Sequence, residues 1–346
     1  MTAAVLTAVE TMRTRTVAVP APRADELLVR VVETGICGSD VAAYRGLHPY
    51  KRPPVVLGHE LSGVVETVGE KVTGFAVGDR VCSAAYSPCG ACQECARGAV
   101  HLCRARSNLS HDGWQGSFAQ YVVLRANSTF RLDDTIGFTS GALVEPLAIG
   151  LHAARLIRHE MPRLLVLGTG NIGLTCLTAA RRLGATEVLC ADIGADKGER
   201  AHALGSDGYI DTREGPPPSQ RRLADHPVDV TIVATGYEGV LDDALAVTRP
   251  GGQVIVVSYF DHPHALNLND WVSAEVTLDF SALATPEDFR TVLAWLASGQ
   301  IDPAPMVTDR FSLRTASEAF ELLETASPHV GKILLETPDS TAGLED

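Results

Sequence analysis

Four cysteines lie within the short stretch CGACQECARGAVHLC, at the spacing C-x2-C-x2-C-x7-C. Four thiolates at such spacing are typical of a closed, tetrahedral zinc site. In a reducing compartment, clustered cysteines indicate a bound metal rather than disulfides. We therefore predict a structural zinc ion held by Cys89, Cys92, Cys95 and Cys103. A zinc ribbon that binds nucleic acid is the alternative, but this segment carries few arginines and no stacking aromatic residues.

Two further residues of the metal-ligand type, His59 and Glu60, stand side by side in PPVVLGHELSG. Neighbouring side chains of a regular strand point to opposite faces, so these two would not normally act together. Gly58 and Gly63 flank them and indicate a bend at which both side chains turn inward. The stretch raises the question of which chemistry needs an imidazole and a carboxylate at one point.

A glycine-rich loop, VLGTGNIG, places Gly168, Gly170 and Gly173 in the pattern G-x-G-x-x-G, after a predicted strand and before a predicted helix. The first glycine permits a tight turn, the second lets the backbone approach a pyrophosphate, and the third lets the helix pack on the strand. The free N–H groups of the helix N-terminus, which includes Asn171 and Ile172, favour phosphates. The loop therefore predicts a dinucleotide-binding site.

Asp192 ends the next predicted strand, where a carboxylate accepts hydrogen bonds from the ribose hydroxyls and repels a 2′-phosphate. Ile193 and Gly194 follow it, and neither is an arginine that could receive that phosphate. The sequence therefore favours NAD over NADP.

The elements that must position these residues are of two kinds. Residues 1 to about 145 form short, β-rich runs separated by glycine and proline, which predicts a mostly-β region. Strands and helices then alternate, and the strands are RLLVLG, EVLCAD, DGYIDT, DVTIVATG, QVIVVSY and VTLDFS. This alternation predicts a doubly wound parallel sheet in an α/β protein. We predict a first, zinc-binding domain over 1–148 and a dinucleotide-binding Rossmann domain over 149–284. Residues 285–346 are predicted to return to the first domain and to end in a tail.

Composition excludes some classes of protein. Hydrophobic residues make up 45% of the 346 residues and charged residues 21%, as in an ordinary globular enzyme. A formal net charge of -13 argues against binding to nucleic acid or to an anionic membrane. The N-terminus has no signal pattern and no apolar run approaches the thickness of a bilayer, so we expect a cytoplasmic protein.

Together these motifs resemble the zinc-dependent medium-chain dehydrogenases/reductases, in the polyol branch of sorbitol- and threonine-type dehydrogenases. The resemblance covers nearly the whole chain and rests on GICGSD, GHELSGVVETVG, GDRV, the four-cysteine segment, VEPLAIGLHA and VLGTGNIG. It implies a GroES-like catalytic domain, two zinc ions per chain, and a homodimer or homotetramer. It also implies that Cys37, His59 and Glu60 bind a catalytic zinc, which Glu145 binds directly or through a water molecule.

That implied set suits alcohol oxidation. Zinc with three protein ligands and an open position binds an alcohol and lowers its pKa. Asp40 resembles the carboxylate that orients the ligand histidine, and Ser39 the hydroxyl that first takes the substrate proton. Relatives often carry a proton-relay histidine five residues after the zinc cysteine, but this chain has Ala42 there. If the nearby His48 replaced it, we would expect that imidazole to titrate near neutrality.

The resemblance indicates a substrate with a secondary alcohol, first a polyol, sugar or cyclitol and second an amino alcohol such as threonine. A zinc-stabilised NAD-binding protein without turnover is a different class, and loss of a catalytic ligand would mark it. No implied ligand is lost here. A zinc-free quinone reductase of the same superfamily would lack both cysteine sites.

Overall fold

The computed structural model describes residues 1–215, 221–325 and 327–337, and its chain divides into two units. The first unit is Met1–Glu145 with Thr285–Asp346, and the second is Pro146–Ala284. The domain limits at residues 148 and 284 stay predictions; the division of the structure lies after Glu145 and after Ala284. The end of the predicted return segment, from residue 338, lies outside the described residues.

The first part of the chain contains short strands and short helices. Its strands are β1 (Thr2–Ala8), β2 (Thr11–Thr16), β3 (Glu26–Gly35), β4 (Val55–Val56), β5 (Glu60–Val68), β6 (Arg80–Ser83), β7 (Tyr86–Ser87), β8 (Ser107–Asn108), β9 (Tyr121–Arg125) and β10 (Thr129–Arg131). Its helices are α1 (Gly38–Tyr44), α2 (Gln93–Ala96), α3 (Phe138–Ala142) and α4 (Val144–Ala154). The predicted mostly-β character of this region is confirmed.

Strands and helices alternate through the second unit, and the return segment follows. The second unit contains β11 (Arg163–Leu167), α5 (Asn171–Arg182), β12 (Glu187–Asp192), α6 (Ala195–Ala203), β13 (Gly208–Asp211), α7 (Arg221–Asp225), β14 (Val228–Val233), α8 (Val240–Val247), β15 (Thr248–Val256), α9 (Leu268–Ala274) and β16 (Thr277–Phe280). The return segment contains α10 (Pro286–Ala297), β17 (Val307–Ser312), α11 (Ala316–Glu324) and β18 (Lys332–Glu336).

The sheet of the second unit has the strand order β13-β12-β11-β14-β15-β16, with every neighbouring pair parallel. This is the 3-2-1-4-5-6 order of a dinucleotide-binding fold, in which ligands bind at the carboxyl ends of the strands. Strands β11 and β14 consist almost entirely of buried residues, as a sheet with helices on both faces requires. The predicted Rossmann fold is confirmed.

The main sheet of the first unit has the order β10-β6-β5-β3-β18-β17, and β9 also pairs with β3. Its central strands bury apolar side chains such as Leu27, Val29 and Leu61. Strand β18 comes from the return segment and pairs antiparallel with β3. The two distant parts of the chain therefore share one sheet.

The pairing of β3 with β5 answers the question raised by His59 and Glu60. These strands are antiparallel, and Gly35 at the end of β3 lies opposite Glu60 at the start of β5. Cys37, just past the end of β3, therefore meets His59, just before the start of β5. Gly58 turns the chain into β5 at a φ of +94°, a backbone conformation that residues other than glycine rarely adopt. A Cβ at Gly35 would lie 2.2 Å from Glu60 Oε2, so the glycine leaves room for the carboxylate.

We predict that Gly58→Ala destabilises the first unit more than Gly78→Ala does. Both glycines have nearly the same φ, +94° and +93°, so both substitutions carry a backbone cost of about 1–2 kcal/mol. A Cβ at Gly58 would also lie 2.4 Å from the Phe118 ring, whereas nothing lies within 4 Å of one at Gly78. Overpacking adds about 1–3 kcal/mol. Urea unfolding of both variants measures the difference, and equal losses would contradict the prediction.

Candidate functional site

Cys37, His59 and Glu60 come together as the resemblance implies. Each offers one ligand atom, and these three atoms lie within 4.8 Å of one another. His59 and Glu60 are buried and Cys37 is half-buried. A thiolate, an imidazole and a carboxylate at such separations fit zinc, whose ligands lie about 2.0–2.3 Å from the metal. Three protein ligands leave a fourth position of the tetrahedron for a water or substrate oxygen.

A buried lysine pairs with the carboxylate of this set. Lys332, the first residue of β18, donates through Nζ to Glu60 Oε2 at 2.5 Å and to the Ile36 carbonyl oxygen at 3.0 Å. Both charged side chains are 1% exposed. Burial disfavours the ammonium, but Glu60 and Cys37 outweigh it and raise the pKa of Lys332. Lys332 therefore remains charged and fixes one oxygen of Glu60.

A second buried lysine lies on the other side of His59. Lys51 Nζ donates to Asp40 Oδ1 at 2.8 Å and to Ser39 Oγ at 3.0 Å, and lies 3.4 Å from His59 Nδ1. Burial opposes the charge on Asp40, but Lys51 and His59 hold the pKa of that carboxyl far below its usual range. Asp40 Oδ2 also accepts from the backbone N–H of Cys37 at 3.2 Å. The carboxylate thus supports both ligand-bearing segments.

The expected contact between Asp40 and His59 is longer than a hydrogen bond. Asp40 Oδ1 lies 3.6 Å from His59 Nδ1, whereas Lys51 is 2.8 Å from the same oxygen. Lys51 takes the position nearest the carboxylate because its three N–H groups can serve more than one acceptor at once. Asp40 therefore acts on the histidine together with Lys51, a partner that the sequence did not indicate.

Glu145 lies in the first turn of α4 and is buried. It is outside the group of three ligand atoms that lie within 4.8 Å of one another. Burial raises the pKa of Glu145 to about 7, although His59 lowers it, and the negative Glu60 adds to the increase. Its direct binding to a metal, or binding through water, stays a prediction.

His48 is not a base that titrates near neutrality. Its Nδ1 accepts from the backbone N–H groups of Lys51 at 3.2 Å and Tyr50 at 3.4 Å. Burial and the positive charge of Lys51 lower the pKa of His48 to about 4, although Asp40 opposes them. The expectation of an imidazole that titrates near neutrality was wrong, because the sequence did not show that His48 is partly buried beside the Lys51 cation. The side chain of Ala42 has no polar group, so neither residue provides a conventional relay.

The four cysteines of the C-x2-C-x2-C-x7-C segment converge. Their sulfur atoms all lie within 4.8 Å, and Cys92 Sγ is 3.5 Å from Cys95 Sγ and 3.7 Å from Cys103 Sγ. A tetrahedral zinc about 2.3 Å from each sulfur would place the sulfurs roughly 3.8 Å apart. The backbone N–H groups of Ala91 and Cys92 lower the pKa of Cys89 to about 6. The residues therefore fit a zinc ion with no open position.

The glycine loop lies between β11 and α5, as predicted. A Cβ at Gly173 would lie 1.8 Å from the Gly168 carbonyl oxygen, and one at Gly168 would lie 2.7 Å from Thr235 Cβ. A Cβ at Gly170 would meet nothing within 4 Å. Gly170 is the N-cap of α5, so Asn171 and Ile172 form the first turn. The loop fits a pyrophosphate because open space remains where the second glycine would let it approach.

Asp192 ends β12 and is held by several donors. Its Oδ2 accepts from the backbone N–H of Thr169 at 2.7 Å. Its Oδ1 accepts from the N–H of Ile193 at 2.7 Å and from Lys197 Nζ at 2.8 Å. The carboxylate is therefore fixed at the carboxyl end of the sheet, where the ribose would bind. Lys197 supplies a cation that the sequence argument for NAD did not include.

Comparison with known proteins agrees with this geometry. The model of the alcohol dehydrogenase GroES-like domain matches residues 23–134, and that of the zinc-binding dehydrogenase matches residues 171–298. A sorbitol dehydrogenase from Bombyx mori is 32% identical, with 94% of this chain and 96% of that protein covered. The chain belongs to the zinc-dependent medium-chain dehydrogenases. It is an oxidoreductase of their polyol branch and acts on small alcohol substrates.

Two solved structures of similar dehydrogenases extend the comparison. A zinc-binding dehydrogenase from Sinorhizobium meliloti 1021, bound to NADP, has a TM-score of 0.89 and 29% identity, with 97% of this chain and 98% of that chain covered. An alcohol dehydrogenase from Escherichia coli CFT073, complexed with NADH, has a TM-score of 0.90 and 26% identity, with 97% of this chain and 99% of that chain covered.

Among the described residues of the present chain, no helix has the length and apolar character needed to cross a membrane.

Sequence reasoning missed three lysines of this dehydrogenase. Lys332 had a signal, because a lysine in the otherwise apolar run VGKILL must find a buried partner. Lys197 could have been sought as a cation within reach of Asp192, since it lies in the first turn of α6. Lys51 had no signal, since YKRPP reads as an ordinary polar loop.

We predict opposite results for alanine at two glycines of the loop. Gly170→Ala should fold normally because its φ of -67° suits any residue and its Cβ meets nothing, but its affinity for NADH should fall by about tenfold or more. Gly173→Ala should unfold at lower urea concentration, since its Cβ would collide with the Gly168 carbonyl oxygen. NADH fluorescence titration and urea unfolding measure both effects. Unchanged NADH affinity in Gly170→Ala would contradict the assignment of the loop.

Proposed function

We propose that this chain oxidises a secondary alcohol of a polyol, sugar or cyclitol, with NAD as hydride acceptor and two zinc ions per chain. The observation that carries the proposal is the Cys37–His59–Glu60 set within 4.8 Å. One thiolate, one imidazole and one carboxylate differ from the two thiolates and one histidine of ordinary alcohol dehydrogenases. The chain that carries this ligand set is 32% identical to a sorbitol dehydrogenase from Bombyx mori, with 94% of this chain covered.

The residues of the first unit have separate tasks in this reaction. Zinc, when bound by them, supplies a Lewis acid that lowers the pKa of an alcohol. Cys37 and Glu60 contribute two negative charges that balance a divalent cation, and Lys332 keeps one positive charge beside Glu60. Ser39 would accept the proton of the alcohol at Oγ and pass its own proton to water, since a hydroxyl both accepts and donates.

The second unit provides the binding site for the hydride acceptor. The loop from Gly168 to Gly173 and the N-terminus of α5 hold the pyrophosphate through backbone N–H groups. When bound, the dinucleotide supplies the carbon that takes the hydride. Asp192 accepts hydrogen bonds from the ribose hydroxyls and repels a 2′-phosphate.

Lys197 limits how strong the preference for NAD can be. Its ammonium lies 2.8 Å from Asp192 Oδ1 and offsets part of the carboxylate charge. We therefore propose a preference of about tenfold, or about 1.4 kcal/mol, rather than exclusion of NADP. A homodimer or homotetramer stays a prediction, for which light scattering of the purified protein is the measurement.

Assays of purified protein with NAD and with NADP, against polyols, cyclitols and amino alcohols, test the proposal. We expect polyols or cyclitols to give the highest kcat/KM, with NAD about tenfold better than NADP. Asp192→Ala should narrow that gap, chiefly by raising KM for NAD, because the ribose contact is lost. Faster turnover of amino alcohols would overturn the substrate class, and equal use of both cofactors would overturn the choice of NAD.

Metal analysis tests the two sites separately. We expect two zinc ions per chain, and brief chelation should remove one of them together with activity, because one site is open and the other is closed. Cys37→Ser should abolish turnover while the protein stays folded, whereas Cys92→Ser should lower the urea midpoint. Fully active, freshly purified protein with one zinc or none would contradict this assignment.

A further inference from the structure

We propose that Lys51 is a positioning residue of this reaction, which holds the Ser39 hydroxyl through one hydrogen bond and is itself fixed by Asp40. The inference rests on the proposed function, because Ser39 handles the substrate proton only if the chain oxidises an alcohol. It requires no change in the protonation of Lys51, which acts as a charged donor throughout.

The contacts of Lys51 support this role. Its side chain is 5% exposed, and its Nζ lies 3.0 Å from Ser39 Oγ and 2.8 Å from Asp40 Oδ1. A buried ammonium must find acceptors for its N–H groups, and here a serine hydroxyl is one of them. Ser39 is half-buried and Asp40 fully buried, so the hydroxyl is the partner nearer to solvent.

The contact determines what the Ser39 hydroxyl can do. An ammonium group only donates, so the bond uses one lone pair of Oγ and directs the serine hydrogen away from Lys51. The other lone pair stays available to a substrate hydroxyl. A hydroxyl that accepts from a cation is a stronger donor, because hydrogen bonds in a chain polarise one another. Lys51 therefore fixes the orientation of the Ser39 hydroxyl and strengthens its O–H group as a donor, while one lone pair remains for the substrate.

The two positions considered for a proton relay do not supply the contact to Ser39 that Lys51 makes. Ala42, at the position of the usual relay histidine, has no polar side-chain atom, and His48 Nδ1 is occupied by the N–H groups of Lys51 and Tyr50. Lys51 lies on the loop that connects α1 to β4, so it reaches Ser39 from outside the helix that carries the serine.

The competing explanation is that Lys51 merely anchors its loop. Arg52 provides a matched control, because it is the next residue, is exposed, and holds the same loop through the carbonyl oxygens of Gly46 at 3.2 Å and Pro49 at 3.4 Å. Removal of Arg52 loosens the loop without touching Ser39. If anchoring were the whole role, Arg52→Met would reproduce the effect of Lys51→Met.

A double-mutant cycle of Lys51→Met and Ser39→Ala on the zinc-loaded enzyme is the decisive experiment. We expect Lys51→Met to lower kcat per bound zinc roughly 10- to 100-fold, with KM for NAD unchanged. Rates are compared per bound zinc because Lys51 also pairs with Asp40 beside His59. The double variant should be no slower than Ser39→Ala, because Lys51 acts through the serine. Lys51→Arg, which keeps a charged donor, should recover part of the rate, and Arg52→Met should retain it. Multiplicative losses in the cycle, or a large loss in Arg52→Met, would overturn the proposal.

The same cycle has a readout that does not depend on turnover. Ser39→Ala should shift the urea midpoint less in the Lys51→Met background than in the wild type, because the bond is already absent. Lys51→Gln, an uncharged donor, replaces Lys51→Met if the latter does not fold. An inactive wild type with a coupled urea midpoint would refute the proposed function alone. An active wild type with additive midpoint shifts would refute the role of Lys51 alone.

Discussion

The antiparallel pairing of β3 with β5 is the constraint on which the candidate site depends. Gly35 opposite Glu60 sets the register, and it brings a cysteine just past the end of one strand to a histidine just before the start of the other. A slip of one residue would turn every side chain of β5 to the opposite face. The register is secured by buried residues such as Leu27 and Leu61, so packing of the sheet and metal-ligand geometry are one requirement.

The buried carboxylates beside the paired strands β3 and β5 have partners of opposite charge in the same chain. Glu60 has Lys332 as its partner, and Asp40 has Lys51. An unpaired charge in such a place costs several kcal/mol, whereas a paired and hydrogen-bonded one can be tolerated. The two lysines come from different segments, one from a loop after α1 and one from the last strand. Contacts with these two lysines, rather than contacts among the ligand residues themselves, therefore hold the carboxylate and the histidine in fixed positions.

The sequence predicted those parts of the structure that depend on residues close together along the chain. The four cysteines, the glycine loop and the alternating strands each lie within a short window, and the structure has them as expected. The proximity of Cys37 to His59 and Glu60 was implied by the resemblance, because their spacing along the chain does not predict a contact. Lys51 and the long Asp40–His59 distance depend on how a loop folds back. The pKa of His48 depends on that same loop, and so a local argument failed there.

Strand β18 has a consequence for how the protein is made. Lys332 reaches Glu60 across 272 residues of chain, and β18 lies beside β3 in the main sheet. Synthesis proceeds from the N-terminus, so the segment that contains Glu60 leaves the ribosome long before its counter-charge exists. The second unit is contiguous and ends at Ala284, so all its strands are synthesised before β18. It can therefore fold before the first unit is complete. Glu60 therefore reaches its final environment only when the last strand docks, which makes completion of the Cys37–His59–Glu60 set a late event in the synthesis of the chain.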